Sequence, residues 1–256
     1  MWIPFAERIF LSSTQQKQLR TGCGVLVLHK IGPPPPNTRD PFEYTTVARL
    51  DECLQAAKAA GLRFKTLAEC HPQSGFNSRT LAITFDDGYS NVLKNALPVL
   101  ARHEVRAIEF LVAAKLGGRN DWDVAKGDAP EELMDAAQVR DWLAAGQSIG
   151  SHSLTHPNLR KIARTQAREE ITASRKKLED LFGVPVKHFC YPFGSFDERV
   201  RDLVMEAGYD SASTVISGVN RPQTDRFALR RLAPYSAHQL FAKARHRFQR
   251  RFRFAT

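Results

Sequence analysis

The chain of 256 residues is of a size that a single α/β domain can reach. Apolar residues make up 43% and charged residues 25%, which is typical of a globular protein and excludes a disordered chain or one built of membrane spans. With 37 lysines and arginines against 27 aspartates and glutamates, the net charge of +10 favours anionic partners such as phospholipid headgroups, sugar phosphates or nucleic acid, without choosing among them.

The N-terminal run from Met1 to Ser13 is apolar but is interrupted by Glu7 and Arg8, so it matches neither a signal-peptide core nor a membrane span. Without an address signal, we expect a cytoplasmic protein. The four cysteines are widely spaced and include no CxxC pair, so we expect reduced and mostly buried thiols. They are Cys23, Cys53, Cys70 and Cys190.

Apolar runs of strand length alternate with segments of helical periodicity, a pattern typical of parallel α/β folds. The predicted strands are Gly24–Leu28, Leu62–Leu67, Leu81–Phe85, Arg106–Val112, Ser148–Gly150, Lys187–Tyr191, Ser211–Val215 and Phe227–Leu232. The clearest helix is predicted over Thr165–Phe182, with Gly183 at its C-terminal cap. Gly32–Pro36 and Gly117–Pro130 are predicted to be loops. The alternation favours a (β/α) barrel, complete or incomplete, or an open doubly wound sheet, and a barrel places its chemistry at the C-terminal ends of its strands.

Two adjacent carboxylates follow the predicted strand Leu81–Phe85. The strand ends abruptly at Asp86 and Asp87, and Gly88 permits a sharp turn there. Adjacent carboxylates repel each other, and a divalent cation that binds one of them relieves the repulsion. The simpler interpretation is an Asp-rich turn that caps the next helix.

Two histidines follow the short strand Ser148–Gly150. His152 and His156 stand four residues apart and can converge on one ion if the segment makes a helical turn, although Pro157 favours an extended conformation at His156. On their own they could be two unrelated polar loop residues. Together with one aspartate they predict a metal site with three ligands and an open position for water, as in catalytic zinc enzymes.

A Pro-aromatic-Gly turn, Pro192 to Gly194, follows the predicted strand Lys187–Tyr191. Such a turn can direct backbone N–H groups into a cleft, where they bind an oxyanion. The alternative is a tight strand-to-helix turn with no chemical role.

With these three features in this order, the chain resembles the polysaccharide deacetylase family, the NodB-homology domain of family 4 carbohydrate esterases. Thr84 to Tyr89 is similar to the first family motif, His152 to His156 to the second, and Val27 to Ile31 to the first strand of the family. The resemblance implies a deformed (β/α) barrel in a single α/β domain. We place this catalytic domain at residues 22–236, between an N-terminal extension over 1–21 and a C-terminal helix over 237–256.

The resemblance also implies a role for each of these residues. Asp87, His152 and His156 would hold a metal ion, Asp86 would be the general base, and the Phe193 N–H would donate to the oxyanion. The ion would lower the pKa of water and polarise the acetamide carbonyl of an N-acetylated amino sugar, and Asp86 would accept the proton of the attacking water, so that acetate and a free amine are released. The ligand set favours Zn²⁺, with Co²⁺, Ni²⁺ and Mn²⁺ as alternatives.

The chain departs from the family pattern at three places. Cys190 stands where the family commonly has an arginine that holds the base, Thr214–Asn220 lacks the usual Asp-Trp pair, and Phe227 to Leu232 contains no Leu-x-x-His. His238 is the nearest downstream candidate for the general acid. Arg231, at the end of the last predicted strand, is a candidate for stabilising developing charge.

Three further residues are candidates for contact with the substrate. His29, Tyr191 and Pro192 follow predicted strands or end them, so a barrel would bring them to the same mouth as the two aspartates. The simpler role of His29 is that of a hydrogen-bonded wall residue.

The leading function is deacetylation of a surface polysaccharide or of a lipid-linked glycan. A deformylase of a lipid-linked amino sugar and a carbohydrate-binding relic with impaired catalysis are the alternatives. A nucleic-acid partner is not expected, because no zinc-finger, RNP-like or helix-turn-helix pattern accompanies the positive charge.

The C-terminus is predicted to form an amphipathic basic helix. This helix would either lie on an anionic membrane, at its inner face, or pack its phenylalanines against the barrel. Its apolar residues at helical spacing are Leu240, Phe241, Ala244, Phe248 and Phe252, and its basic residues are Lys243, Arg245, Arg247, Arg250, Arg251 and Arg253.

Overall fold

The computed structural model of the protein describes residues 13–36, 38–70 and 78–234. The helix predicted for residues 237–256 and His238 lie outside these residues, as does most of the extension predicted for residues 1–21, so the three predictions stay predictions. Among the described residues, no helix combines the length and the hydropathy that crossing a bilayer requires.

Helices and strands alternate along the described chain, as the apolar pattern predicts. In chain order they are α1 (Ser13–Leu19), β1 (Cys23–Leu28), β2 (Lys30–Ile31), β3 (Tyr44–Thr45), α2 (Val47–Ala59), β4 (Arg63–Phe64), β5 (Thr80–Asp87), α3 (Ser90–Arg102), β6 (Ala107–Leu111), α4 (Asp121–Val124), α5 (Ala136–Ala144), β7 (Ser148–Ser151), α6 (Arg164–Phe182), β8 (His188–Cys190), α7 (Glu198–Glu206), β9 (Ser211–Ser217) and β10 (Leu229–Arg231).

The main sheet is parallel and curls into a ring. Its strands lie in the order β1-β5-β6-β7-β8-β9-β10, and β4 pairs with the start of β5. Backbone hydrogen bonds close the ring, because Val27 N–H donates to Leu232 O at 3.0 Å and Leu232 N–H donates to Val25 O at 2.7 Å. Strand pairing within the ring is shortest between β7 and β8, which share one register pair, Ser151 with Phe189. The predicted deformed (β/α) barrel is therefore confirmed, and the open sheet is excluded.

Each predicted strand has a counterpart in the structure, with shifts at the ends. The largest shifts are at the predicted strand 62–67, of which only β4 forms, and at β5, which continues through both aspartates. The predicted long helix corresponds to α6, and Gly183 ends it in the left-handed conformation at φ 66. The segment 117–130, predicted to be a loop, contains the short helix α4.

Apolar side chains form two clusters on the two faces of the ring. The larger cluster joins the outer face of the strands to the helices. The smaller one contains no helix residue and fills the barrel; its members are Cys23, Val25, Leu67, Cys70, Ala82, Ile108, Phe110, Cys190 and Leu229. Because side chains alternate along a strand, Thr84 and Asp86 share the inner face with Ala82. The base candidate therefore points into the barrel mouth, above this inner cluster.

The prediction of four reduced thiols is wrong for two of them. Cys23 and Cys70 form a disulfide, with Cα atoms 5.8 Å apart, whereas Cys53 and Cys190 are free and buried. Both half-cystines are buried in the smaller apolar cluster inside the barrel, where their side chains meet. A separation of 47 residues along the chain concealed this pairing.

Candidate metal centre and active site

Two carboxylates and a sharp turn end strand β5. Asp87 has φ 81 and Gly88 has φ 85, so the chain leaves the strand through two consecutive left-handed residues. This conformation suits glycine and is strained for aspartate, and such strain concentrates at functional sites. The Gly88 N–H donates to Glu109 Oε1 of β6 at 2.9 Å, which fixes the turn.

The predicted metal ligands lie together. Asp87 Oδ1 is 3.3 Å from Nε2 of His152 and 3.3 Å from Nε2 of His156, and all three side chains are buried. Burial alone raises the pKa of the Asp87 carboxyl, but its hydrogen bonds with the two imidazoles outweigh burial and lower that pKa well below the usual range. One ionised carboxylate and two imidazoles that face it are a donor set that fits a divalent transition metal.

His152 is held from two sides by the backbone of neighbouring strands. Its Nδ1 lies 2.7 Å from the Cys190 carbonyl oxygen, and its backbone N–H donates to Leu111 O at 2.8 Å. A carbonyl can only accept, so Nδ1 keeps its proton in this contact, and Nε2, which faces Asp87, is the nitrogen that would bind an ion once it releases its own proton. This is the usual outer contact of a metal-binding histidine.

Helix α6 holds the loop that carries both histidines. Glu170 accepts hydrogen bonds from Leu154 N–H at 2.9 Å, Thr155 N–H at 2.8 Å and the Thr155 hydroxyl at 2.6 Å. Within this loop, Ser153 and His156 both have φ 67. Glu170 carries no distinctive signal in the sequence, because a glutamate near the start of a helix is ordinary.

The base candidate Asp86 is bound by Arg231. Arg231 Nη1 and Nη2 donate to the two carboxylate oxygens of Asp86, each at 2.7 Å, and both side chains are buried. Burial raises the pKa of the Asp86 carboxyl, but the charge and hydrogen bonds of Arg231 outweigh it, so the net shift is downward. Asp86 is therefore ionised at neutral pH, as a general base must be.

The other donors of Arg231 are also engaged. Nε donates to Thr214 O at 2.7 Å, Nη1 to the Thr84 hydroxyl at 3.2 Å and Nη2 to Cys190 Sγ at 3.2 Å. With the two bonds to Asp86, these contacts occupy all of the N–H groups that a guanidinium carries. Arg231 therefore has no N–H group left over for a substrate, so the predicted role in stabilising charge on the substrate stays a prediction, and its observed contact is with the base candidate Asp86.

A second group of ligand types, Asp86, His152 and Cys190, also lies close together. It is unsuited to a cation, because the guanidinium of Arg231 already contacts both Asp86 and Cys190. Burial raises the pKa of the Cys190 thiol, which keeps it protonated. Of the two groups, the one that contains Asp87 is therefore the better candidate for a metal site.

Two predicted residues lie at the rim of the site. His29 Nε2 is 3.8 Å from Asp86 Oδ2, and its side chain is 29% exposed, so it can reach a ligand in the mouth. Phe193 is 44% exposed, its ring centroid is 4.6 Å from that of His156, and its φ of 59 places its backbone in the left-handed region. Both positions are consistent with the predicted roles, which stay predictions.

Tyr191 and Pro192 do not fit the predicted contact with substrate. Both are buried, and the Tyr191 hydroxyl donates to Phe227 O at 2.9 Å while its ring stacks on Phe196. Their side chains are therefore part of the core under the turn. Strand alternation directs Tyr191 away from the barrel mouth, opposite to Cys190.

Two residues near the site, Trp122 and Glu109, are not predicted from the sequence. Trp122 of α4 stacks on His156, with ring centroids 4.3 Å apart. Glu109 lies fully buried in β6, beside the turn at Gly88. A lone carboxylate within the apolar strand Ala107–Leu111 is a signal that could have identified Glu109, whereas a tryptophan in a polar segment is only a weak one.

Comparisons with known proteins agree with this geometry. Residues 73–212, more than half of the chain, match the model of the family described as polysaccharide deacetylase. The chain is 28% identical over 141 residues to a chitooligosaccharide deacetylase of Sinorhizobium fredii, a match that covers 54% of this chain and 57% of the relative. Other curated relatives are matched over 18% to 52% of their own length.

Two solved structures share the fold over nearly their whole length. IcaB of Ammonifex degensii superposes with a TM-score of 0.74 at 19% identity, covering 88% of this chain and 97% of IcaB. The deacetylase PplD of Streptococcus pyogenes, solved with acetate, superposes with a TM-score of 0.71 at 18% identity, covering 88% of this chain and 98% of PplD. At these identities the likeness is one of fold.

Proposed function

Because the chain belongs to the polysaccharide deacetylase family, we propose that it hydrolyses the N-acetyl group of an amino sugar in a surface polysaccharide or a lipid-linked glycan, with the help of a divalent metal ion. One observation carries the proposal. The ligand set Asp87, His152 and His156 lies directly beside Asp86, a carboxylate that Arg231 keeps ionised and oriented. The matched chitooligosaccharide deacetylase supports an N-acetylated glycan as the substrate class.

Asp87, His152 and His156 would hold the ion. When bound there, the ion supplies Lewis acidity, which lowers the pKa of water and polarises a carbonyl. Zn²⁺ suits this mixed carboxylate and imidazole set best, and Co²⁺, Ni²⁺ and Mn²⁺ are alternatives.

Residues of the chain carry out the proton transfer and stabilise the negative charge that develops on the substrate. Asp86 accepts the proton of the attacking water, and Arg231 holds the carboxylate in place for this transfer. The Phe193 N–H, in a turn whose backbone is left-handed at this residue, donates to the oxygen that becomes negative as water adds to the acetyl carbon. The C–N bond then breaks, and the products are acetate and the amine of the sugar.

The leaving amine needs a proton. His238, the candidate from the sequence, lies outside the described residues. Among the described residues, His29 is the imidazole at the mouth that does not face Asp87, and its contact with Asp86 places it beside the proton that the base has accepted. We therefore assign to His29 the delivery of that proton to the amine.

Release of acetate from N-acetylglucosamine oligomers tests the proposal. We expect release by the purified protein, loss of release after chelation, and recovery when Zn²⁺ is added back. N-formylated sugars form the second arm, in which release of formate in place of acetate would support a deformylase. A metal-loaded protein that binds the oligomers but releases neither acid would contradict catalysis and support a carbohydrate-binding relic.

The predicted location, a cytoplasmic protein resting on the inner face of the membrane, stays a prediction. The Cys23–Cys70 disulfide argues for an oxidising compartment, because disulfides are rare in the cytosol. Acid quenching of intact cells, followed by maleimide labelling of the unfolded protein, counts the free thiols. Two labelled cysteines indicate that the disulfide is present, and four indicate the reducing cytosol.

A further inference from the structure

His156 differs from His152 in what holds its ring. Its Nδ1 is buried and has no hydrogen-bond partner among the described residues, whereas His152 Nδ1 meets the Cys190 carbonyl. A metal-binding histidine almost always donates its second N–H to a carbonyl, a carboxylate or water, which fixes the orientation of the ring. His156 also has φ 67, so its backbone is strained and needs other contacts to keep it in place.

Aromatic rings enclose His156 in place of such a partner. The indole of Trp122 stacks on its imidazole, with centroids 4.3 Å apart and an interplanar angle of 29°. The Phe193 ring meets the imidazole edge to face at 4.6 Å and 71°. Two rings at different angles restrict both the tilt and the sideways motion of the imidazole.

Hydrogen bonds fix the segment that carries Trp122, and Met134 N–H at its end donates to Gly88 O, in the turn after β5, at 2.8 Å. We call residues 114–134 the flap. Gly117 N–H donates to Met134 O at 2.9 Å, which ties the two ends of the flap together. Inside it, the fully buried Asn120 side chain accepts from Glu131 N–H at 2.7 Å and donates to Ala129 O at 3.3 Å. The backbone on either side of Trp122 is therefore fixed, with the indole against His156.

We propose that Trp122 is a positioning residue for the metal site, which orients His156 by stacking and so sets the affinity for the ion. The inference rests on the proposed function, because it requires His156 to be a ligand. Trp122 acts only through the imidazole and does not contact the ion. The stacking surface is what matters, so another aromatic ring replaces it and an aliphatic side chain of similar size does not.

The test measures the dissociation constant for Zn²⁺ by competition with a chromophoric chelator. We expect Trp122→Leu and Trp122→Ala to weaken binding by about tenfold or more, the usual effect of losing an outer contact of a ligand histidine. Trp122→Phe keeps the stacked ring and should stay within about threefold of the wild type. Val124→Ala, at an exposed position on the same short helix, is the matched control and should change nothing.

A double-mutant cycle with His156→Ala separates positioning from a general loss of structure. Once the imidazole is absent, Trp122→Leu should cost no further affinity. An unchanged dissociation constant for folded Trp122→Leu would overturn the inference, and so would an equal loss with and without His156. A wild type that binds Zn²⁺ leaves the metal site of the proposed function intact under either result. A wild type that binds no ion overturns both.

Discussion

The two sides of the site are held by different forces. On the strand side, Asp86 and Arg231 lie on β5 and β10 and share two charge-assisted hydrogen bonds of 2.7 Å. On the loop side, His156 has a strained backbone and is held by ring packing and by a loop that Glu170 secures. The proposed base is therefore fixed by the barrel, whereas the proposed metal ligand His156 depends on the elements packed around it. Substitutions on the two sides should change different quantities: proton transfer on the strand side, metal affinity on the loop side.

The largest effect is expected for Arg231→Met. The change leaves the Asp86 carboxylate buried and unpaired, which costs about 3–5 kcal/mol of the free energy of unfolding. With Arg231 gone, burial of Asp86 is no longer opposed by the neighbouring charge, so the Asp86 pKa rises and kcat falls more than the affinity for Zn²⁺. Urea unfolding, kcat and Zn²⁺ titration measure the three quantities. Arg230→Met, at the exposed neighbouring position of β10, is the control. Equal stability of the two variants would contradict the account of the strand side.

A smaller effect is expected for Glu170→Ala on the loop side. It removes the acceptor of two backbone N–H groups and one hydroxyl, at a cost of about 1–3 kcal/mol. The loosened loop should weaken Zn²⁺ binding by about tenfold. Glu169→Ala removes an exposed carboxylate one residue earlier in α6 and is the matched control. If both variants bind Zn²⁺ equally well, α6 does not hold the metal side.

The smallest expected effect is a pH-dependent change in stability that comes from Glu109. Burial raises the pKa of Glu109 well above its usual range, and the charges of Asp86 and Asp87 add to that rise. The folded protein therefore keeps a proton that the unfolded chain releases above about pH 4.5. The stability that this proton contributes is complete below that pH and is lost as pH rises through the folded-state pKa.

Glu109→Gln removes the titration while it keeps an acceptor for the Gly88 N–H. In chelator-treated protein, the Tm of this variant should therefore rise relative to the wild type as pH increases from about 5 to about 8. Glu104→Gln, at an exposed position, should track the wild type. A constant difference in Tm across this range would show that Glu109 does not titrate as proposed.

The sequence predicts the parts of this molecule that depend on local pattern. Alternating apolar runs give the barrel, and a carboxylate at a strand end with two histidines four residues apart gives the metal set. The contacts between residues far apart in the sequence depend instead on how the chain folds into the closed barrel. Arg231 lies 145 positions along the chain from Asp86 and reaches it only because β10 closes onto β1. Cys23 and Cys70 are likewise 47 residues apart in the sequence and meet only in the folded chain.

The position of Trp122 cannot be predicted from the sequence for a different reason. The flap is rich in Gly, Asn and Asp, so its composition predicts a loop, and no local pattern reports that it folds over His156. A contact between two loops depends on the whole fold. The spacing of residues within one helix or strand does not predict it.

The division of labour between the two aspartates is the central claim, and paired measurements on Asp86→Asn and Asp87→Asn test it most directly. Bound Zn²⁺ and kcat for acetate release are measured on the same preparations. We expect Asp86→Asn to keep the ion and to lose about 10²–10⁴-fold in kcat, because it lacks only the base. Asp87→Asn should lose the ion. An Asp86→Asn protein that loses Zn²⁺ with no further loss of turnover, beside an Asp87→Asn protein that keeps it, would contradict the assignment.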